Sequence, residues 1–324
     1  EAEKADVTLI DSLESQTSSL VRPVVDVNAK DAPREALRIY YVPNGDDYHI
    51  ASLLDRLYTT VQPFGCRDVR DYIERRVLAY KTPDAGTQLW DEVVAMRPDL
   101  VYVESARNIE PAVLQRIRSE LGIPVTMWFG DTCANDEFVE RILNYAPSVT
   151  HQVTVDRHVA LAAKKRGIIN VEFVPFFGYD HYFKPMDVPK TVDILFSGKS
   201  YHGSFKRYPF AAERLSFVQR VDREFGARLR VVGEDWETLG LSNLHPARVP
   251  EWDVNRLNNE SRIVLAYDAA NVDGFTSCRT YHALLGRTFI LLRKFPGAER
   301  LFINREHLVR FESEQEGIDL LHHY

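Results

Sequence analysis

From Leu37 onward the chain alternates between two textures. Short runs of β-branched and aromatic residues give way to longer stretches whose apolar residues recur every three or four positions. "LRIYYVP" (37–43) is the first run and stops at Pro-Asn-Gly; "DYHIASLLDRLYTTV" behind it has helical spacing. "DLVYVES" (99–105) is a second strand, followed by the helix "EPAVLQRIRSELG", with Pro at its start and Gly past its end. Then come "IPVTMWFGD" (123–131), a helix over 134–145, "VTHQVTV" (149–155), a helix over 157–167 and "VEFVPF" (171–176). Apolar strands alternating with amphipathic helices predict a parallel sheet covered on both faces.

The segment "PFFGYDHYFKPMDVPK" (175–190) breaks this rhythm; its Pro, Gly and aromatic content predicts a packed linker. The rhythm then restarts: "VDILFSGKS" (192–200), a helix over 209–226, "RLRVVGED" (228–235), a helix near 251–260, "RIVLAYD" (262–268), the stretch "DGFTSCRTYHALLGRTFILL", and "HLVRFES" (307–313). The pattern divides into a lead-in (1–36), an α/β unit (37–176), a linker (177–190) and a second α/β unit (191–324). The lead-in carries eight acids against four bases and no sustained period.

A length of 324 residues favours two cores over one. The net charge of −7 argues against bulk nucleic-acid binding but leaves room for a local basic pocket. Cys66, Cys133 and Cys278 are scattered and form no CxxC, which predicts free thiols in a reducing, cytoplasmic setting. No apolar run approaches the roughly 20 residues of a membrane span, and no stretch reads as a signal peptide. The chain opens on Glu and closes on "IDLLHHY", a helical pattern that reads as part of a longer multidomain protein.

In open parallel sheets, ligands sit beyond the carboxyl ends of strands, so those ends hold the candidate chemistry. In "LFSGKSYHGSFKR" (195–207), Gly198 admits close backbone approach, and Lys199, Lys206 and Arg207 offer cations for a diphosphate. The same residues also fit an ordinary strand–helix turn with solvated lysines, and no P-loop is present. After Gly233, the residues Glu234, Asp235 and Trp236 either face a nucleoside or complete a turn. Asp131 in "MWFGDTC" either contacts a sugar or acceptor, or caps the next helix. Asp46 and Asp47 either cap a helix or bind a metal, and no His/Cys cluster has ligand spacing.

With Ser277 as N-cap, a helix puts Cys278, Tyr281, Leu284 and Leu285 on its buried side. Arg279, His282 and Gly286 share the adjacent arc. A guanidinium near a helix N-terminus suits an anion. The plainer alternative for His282 is a core-edge histidine satisfied by a carbonyl.

Four stretches, in order, resemble the GT-B glycosyltransferases, closest to the CgeB-like (spore maturation) branch of the retaining group-1 transferases. They are "RPDLVYVE…IPVTMWFGDT", "VEFVPFFGYDHYFKP", "VDILFSGKS" and "SCRTYHALLGRTFILLRKFPGAERLF". The resemblance implies an α/β GT-B architecture: two Rossmann-like domains whose parallel sheets face an interdomain cleft. It implies transfer of a sugar from a nucleotide-diphosphate sugar to a hydroxyl acceptor on a glycan, protein or lipid-linked carrier, with retention and with no metal or other cofactor. The C-terminal domain would hold the donor and the N-terminal domain the acceptor. Carried over by position, Gly198 and Lys199 lie at the diphosphate, with Arg207 a further partner. Arg279 matches the family arginine, and His282 stands where a glutamate usually binds ribose. Counting back for the family's E-x7-E pair lands on Gly274; Asp273, one residue off, substitutes only if the loop shifts. Asp131, Asp273 and Arg279 are thus the expected catalytic set, with Gly198, Lys199, Arg207, Gly233, Glu234, Arg279 and His282 the expected donor-binding set. The histidine also admits a degenerate, binding-only module, and the architecture alone admits a nucleotide-sugar epimerase.

Overall fold

A computed structural model describes residues 39–42, 85–104, 109–132, 135–178, 183–202, 208, 210–245, 249 and 251–324, with main chain alone at 251 and 252. The lead-in, Asp46 and Asp47, the helix expected behind them, Cys66, Cys133, Lys206 and Arg207 lie outside the described residues. The chain divides into two units, Glu1–Glu35 and Ala36–Tyr324, and every described residue belongs to the second.

The first sheet has the order β1 (Ile39–Val42), β2 (Leu100–Glu104), β3 (Val125–Phe129), β4 (His151–Thr154), β5 (Val171–Phe173), all parallel. Its helices are α1 (Ala85–Met96), α2 (Pro111–Leu121), α3 (Asp136–Leu143) and α4 (Arg157–Lys165). α1 was not among the helices expected from the pattern. α2 begins at Pro111, whose missing N–H has no use in a first turn, and stops before Gly122 in the left-handed region. α3 starts two residues later than its apolar period suggests, because Asn135 caps it by accepting Phe138 N–H at 2.8 Å. That cap also removes the helix-capping alternative for Asp131.

The second sheet is β6 (Val192–Ser197), β7 (Leu229–Val232), β8 (Leu244–His245), β9 (Ser261–Ala266), β10 (Phe289–Arg293) and β11 (Val309–Phe311). Its spatial order is β11-β10-β9-β6-β7-β8, again parallel throughout. Its helices are α5 (Ala211–Phe225), α6 (Glu251–Glu260), α7 (Cys278–Leu285), α8 (Ala298–Leu301) and α9 (Glu314–His323). Alternate strand residues feed two cores. Ile194, Leu265 and Leu291 pack with Leu215, Phe217 and Val221 of α5 and with Ile318 of α9. Leu195, Val264 and Ile290 pack with Ala283 of α7 and Ala298 of α8. Both faces are dry, which explains why these strands read as unbroken apolar runs. From β6 the chain moves outward to β7 and β8, then returns to lay β9 on the other side of β6. That reversal makes the carboxyl ends of β6 and β9 the topological switch point, where such sheets open a crevice.

The linker is packed, as its composition predicts. Phe183 is 1% exposed. Asn255 of α6 accepts Lys184 N–H at 3.2 Å, and Asn259 accepts Met186 N–H at 2.8 Å and donates to Lys184 O at 3.1 Å. Among the described residues, no helix is long and apolar enough to cross a membrane.

Candidate functional site

The loops after β6 and β7 are tied together by main-chain bonds. Gly198 N–H donates to Val232 O at 2.9 Å, and Ser200 N–H to Glu234 O at 3.1 Å. The Trp236 indole donates to Gly198 O at 2.7 Å. Gly233 sits at φ 147°, and a Cβ there would lie 2.2 Å from the Gly198 carbonyl oxygen. Only glycine permits that approach. Trp236 is fully buried, its ring edge-on to Phe196 at 5.6 Å. It is a strut for the loop and does not face a nucleoside, a correction to the reading from sequence. Glu234 and Asp235 turn instead to Lys199, whose Nζ is 3.6 Å from Glu234 Oε2 and 3.2 Å from Asp235 Oδ2. Burial would lower the lysine's pKa, but the bond and charge of Asp235, then Glu234, outweigh it and raise the pKa above its ordinary value. Lys199 therefore reaches the crevice rim already paired with acids.

The larger cationic feature was not found from sequence. Arg214, on the first turn of α5, is 0% exposed. Its guanidinium donates to Tyr267 O at 3.4 Å and to Lys199 O, and stands over the rings of Tyr201 and Phe196. Its Nε has no hydrogen-bond partner. Among the described residues, no carboxylate lies at ion-pair distance from Arg214 or Arg279. Burial first, and the charge of Arg279 second, pull the Arg214 pKa down to about 10. Arg279 lies over Gly198: a Cβ on that glycine would be 3.7 Å from its guanidinium carbon. Two guanidiniums thus lie near one another at the switch point beside a bare glycine, with the charge of Asp268 the nearby acidic counterweight. The single signal in the sequence was an arginine interrupting the apolar face of α5.

α7 forms where expected, with Ser277 at its N-cap, but the Ser277 side chain makes no capping bond. Asp268, just past β9, holds the approach instead: it accepts the Thr276 hydroxyl at 2.7 Å and Ser277 N–H at 3.3 Å. The buried arc of α7 differs from the expected one. Thr280, His282 and Ala283 are the buried residues, while Cys278, Tyr281, Leu284 and Leu285 are half-buried. The reason is tertiary: the linker and α6 cover the histidine side. His282 is 3% exposed and stacks flat on Phe183, with centroids 3.6 Å apart and planes at 5°. It lies beneath the linker rather than on an open wall beside Arg279.

Asp273 is also elsewhere than expected. It pairs with Arg157, the first residue of α4, at 3.6 Å, and with Arg300 of α8. A carboxylate shared by two guanidiniums ties the two sheets together, an ion-pairing role that the sequence reading did not foresee. Asp131 does face across the sheets. Its Oδ2 accepts the Tyr208 hydroxyl at 3.1 Å, and its Oδ1 accepts Thr132 N–H at 2.9 Å. Among the described residues, no group of three His, Cys, Asp or Glu side chains is placed to hold a metal ion.

A family model described as glycosyl transferase-like matches residues 214–324, the stretch that contains Arg214, Asp268 and Arg279. No curated protein matches the chain. Among solved structures, Anabaena HepE in complex with UDP and glucose superposes with a TM-score of 0.58, at 11% identity over 88% of this chain and 89% of that one. HepE in complex with UDP-glucose gives 0.57, at 11% identity over 89% of each chain. An α,α-trehalose 6-phosphate synthase from Burkholderia multivorans gives 0.50, at 12% identity over 85% of this chain and 74% of that one. The chain has the GT-B fold, and the glycosyl transferase-like match spans its elements from within α5 to α9.

Proposed function

We propose that this chain is a glycosyltransferase that moves a sugar from a nucleotide-diphosphate sugar to a hydroxyl acceptor, with retention and without a metal, and that it stands in the CgeB-like branch. The observation that carries this reading is the pair Arg214 and Arg279, two cations at the switch point of the second sheet, with no carboxylate at ion-pair distance among the described residues and the charge of Asp268 nearby. HepE, which shares the fold, was solved with UDP-glucose. When the bond from the sugar's anomeric carbon to the diphosphate breaks, negative charge gathers on the departing phosphate. Fixed guanidiniums aimed there stabilise it without reorganisation. The acceptor hydroxyl attacks the same carbon, and its proton passes to a leaving-phosphate oxygen, so no enzyme carboxylate is required. Gly198 and Gly233 keep the main chain close to the phosphates, Lys199 adds charge at the rim, and Arg207, assigned by resemblance, would be a further partner of the diphosphate. Asp131, oriented by Tyr208, faces the acceptor.

A panel of nucleotide sugars with simple hydroxyl acceptors, read by release of nucleoside diphosphate, tests the reading. Turnover with one donor, abolished in Arg279→Ala, supports it. The commitment of Asp273 to Arg157 and Arg300 favours a second reading, a module that binds the nucleotide without turnover. Nucleoside diphosphate raising Tm with no product from any donor would select that one.

A further inference from the structure

The inner face of α6 carries three buried asparagines at i, i+3 and i+4: Asn255, Asn258 and Asn259, at 4%, 3% and 4% exposure. Two are accounted for by the linker and by each other. Asn258 differs. Its main-chain carbonyl accepts the Thr288 hydroxyl at 2.9 Å, but its side-chain Nδ2 has no partner. A buried amide donor left unsatisfied is costly and calls for an explanation.

Asn258 lines a cavity of about 20 Å³ at the carboxyl ends of β6 and β9, together with Ser197, Asp268, Ser277 and Arg279. Apolar walls come from Val254, Val264 and Leu265. The volume is that of one water or one ligand hydroxyl. A hydroxyl both donates and accepts, and the cavity supplies both roles: the Asn258 amide donates, and the Asp268 carboxylate accepts. Arg279 at the rim sets this pocket beside the phosphate site. Every lining residue belongs to the second sheet, its helices or its loops, and none to the first sheet. The pocket therefore suits a part of the donor that does not react, since the transferred sugar must stay open to an acceptor.

We infer that Asn258 reads one hydroxyl of the donor's ribose, the task that position along the sequence assigned to His282. This inference rests on the nucleotide-sugar reading and deepens it. His282 is stacked beneath Phe183 and is not among the residues that line this cavity, whereas Asn258 is.

The test is titration calorimetry of the wild-type chain with UDP, 2′-deoxy-UDP and 3′-deoxy-UDP, or with the guanosine series where GDP binds more tightly. One deoxy analogue is expected to bind about five- to tenfold more weakly than its parent. Asn258→Ala should bring the parent to the level of that analogue and leave the analogue's own affinity unchanged. Asn258→Ser serves should the alanine variant not fold, and the wild-type comparison needs no variant. Equal affinities of wild type for all three ligands overturn the inference. So does an Asn258→Ala variant that weakens parent and analogue alike, the mark of a merely structural asparagine. Discrimination lost in His282→Asn but kept in Asn258→Ala returns the role to the histidine. If neither UDP nor GDP binds wild type, the nucleotide-sugar reading falls and the inference with it; if one binds without discrimination, only the role of Asn258 falls.

Discussion

Arg214 is held out of water with Arg279 as its charged neighbour, and its pKa of about 10 records the strain. Because the folded value lies below arginine's ordinary one, the protonated side chain opposes folding at every pH below about 10, and that opposition fades as pH rises further. Anion binding follows the opposite sign: a diphosphate needs the proton, so affinity should fall as pH climbs through about 10. Arg214→Met should weaken nucleoside diphosphate binding by about 10- to 100-fold, the worth of a charged hydrogen bond. Its Tm should change little, since relief of the repulsion offsets the two lost bonds to carbonyls. A variant that loses Tm but keeps its affinity would reduce Arg214 to a strut. Gly233 makes the complementary case, where space rather than charge decides. Gly233→Ala sets a Cβ 2.2 Å from the Gly198 carbonyl oxygen. It should cost about 2–4 kcal/mol in denaturant unfolding and, on the proposed nucleotide-sugar reading, lower donor affinity as well, because the displaced loop is tied to Gly198.

At the scale of elements, the approach to α7 sets how Arg279 is aimed. Asp268 receives the Thr276 hydroxyl and Ser277 N–H, so the turn into the helix is held from outside it. Asp268→Ala should destabilise the fold by about 1–2 kcal/mol, as the loss of a helix cap does. Donor affinity should fall as well, because Asp268 also lines the cavity that Asn258 lines. Thermal unfolding with and without nucleoside diphosphate measures both effects. α7 also marks the limit of periodicity as a guide. Its extent and N-cap were legible, because apolar spacing and a serine are local signals. Which arc lies deepest was not, because Phe183 and α6 arrive from distant parts of the chain to cover the histidine side.

Across the whole molecule, the two sheets are joined by a polar and an apolar seam. Asp273 reaches Arg157 and Arg300, and Asp131 accepts the Tyr208 hydroxyl. Phe176, beyond β5, meets Phe275 edge-on at 5.8 Å. Through the Tyr208 hydroxyl, the loop after β3 is tied to the segment between β6 and α5. Asp273→Asn separates the structural role from the catalytic one. Removal of a partly exposed ion pair should cost about 1 kcal/mol, less at high salt. Loss of a general base would lower turnover about 10²- to 10⁴-fold. The expected outcome is a small, salt-dependent drop in Tm with kcat within about tenfold of wild type.

Two rounds of strand and helix, the break at 175–190 and the glycines at the strand ends were written in the sequence. Strands buried on both faces must be apolar throughout, surface helices must repeat with their own turn, and close backbone contacts exclude side chains. The sequence also singled out Gly198 and Gly233 at strand ends and Arg279 on α7, and the structure brings Arg279 over Gly198, whose carbonyl oxygen crowds Gly233. It was silent on Arg214 and Asn258, which in one dimension look like polar residues on amphipathic helices. It was misleading on Asp273 and His282, which position alone put at the reacting sugar and the ribose. Whether a charge or amide is satisfied depends on groups brought from far along the chain: Tyr267 to Arg214, Arg157 to Asp273, Phe183 to His282. Only the folded chain makes those pairings, and so only the tertiary structure decided which polar groups are committed to the fold and which are left for a ligand.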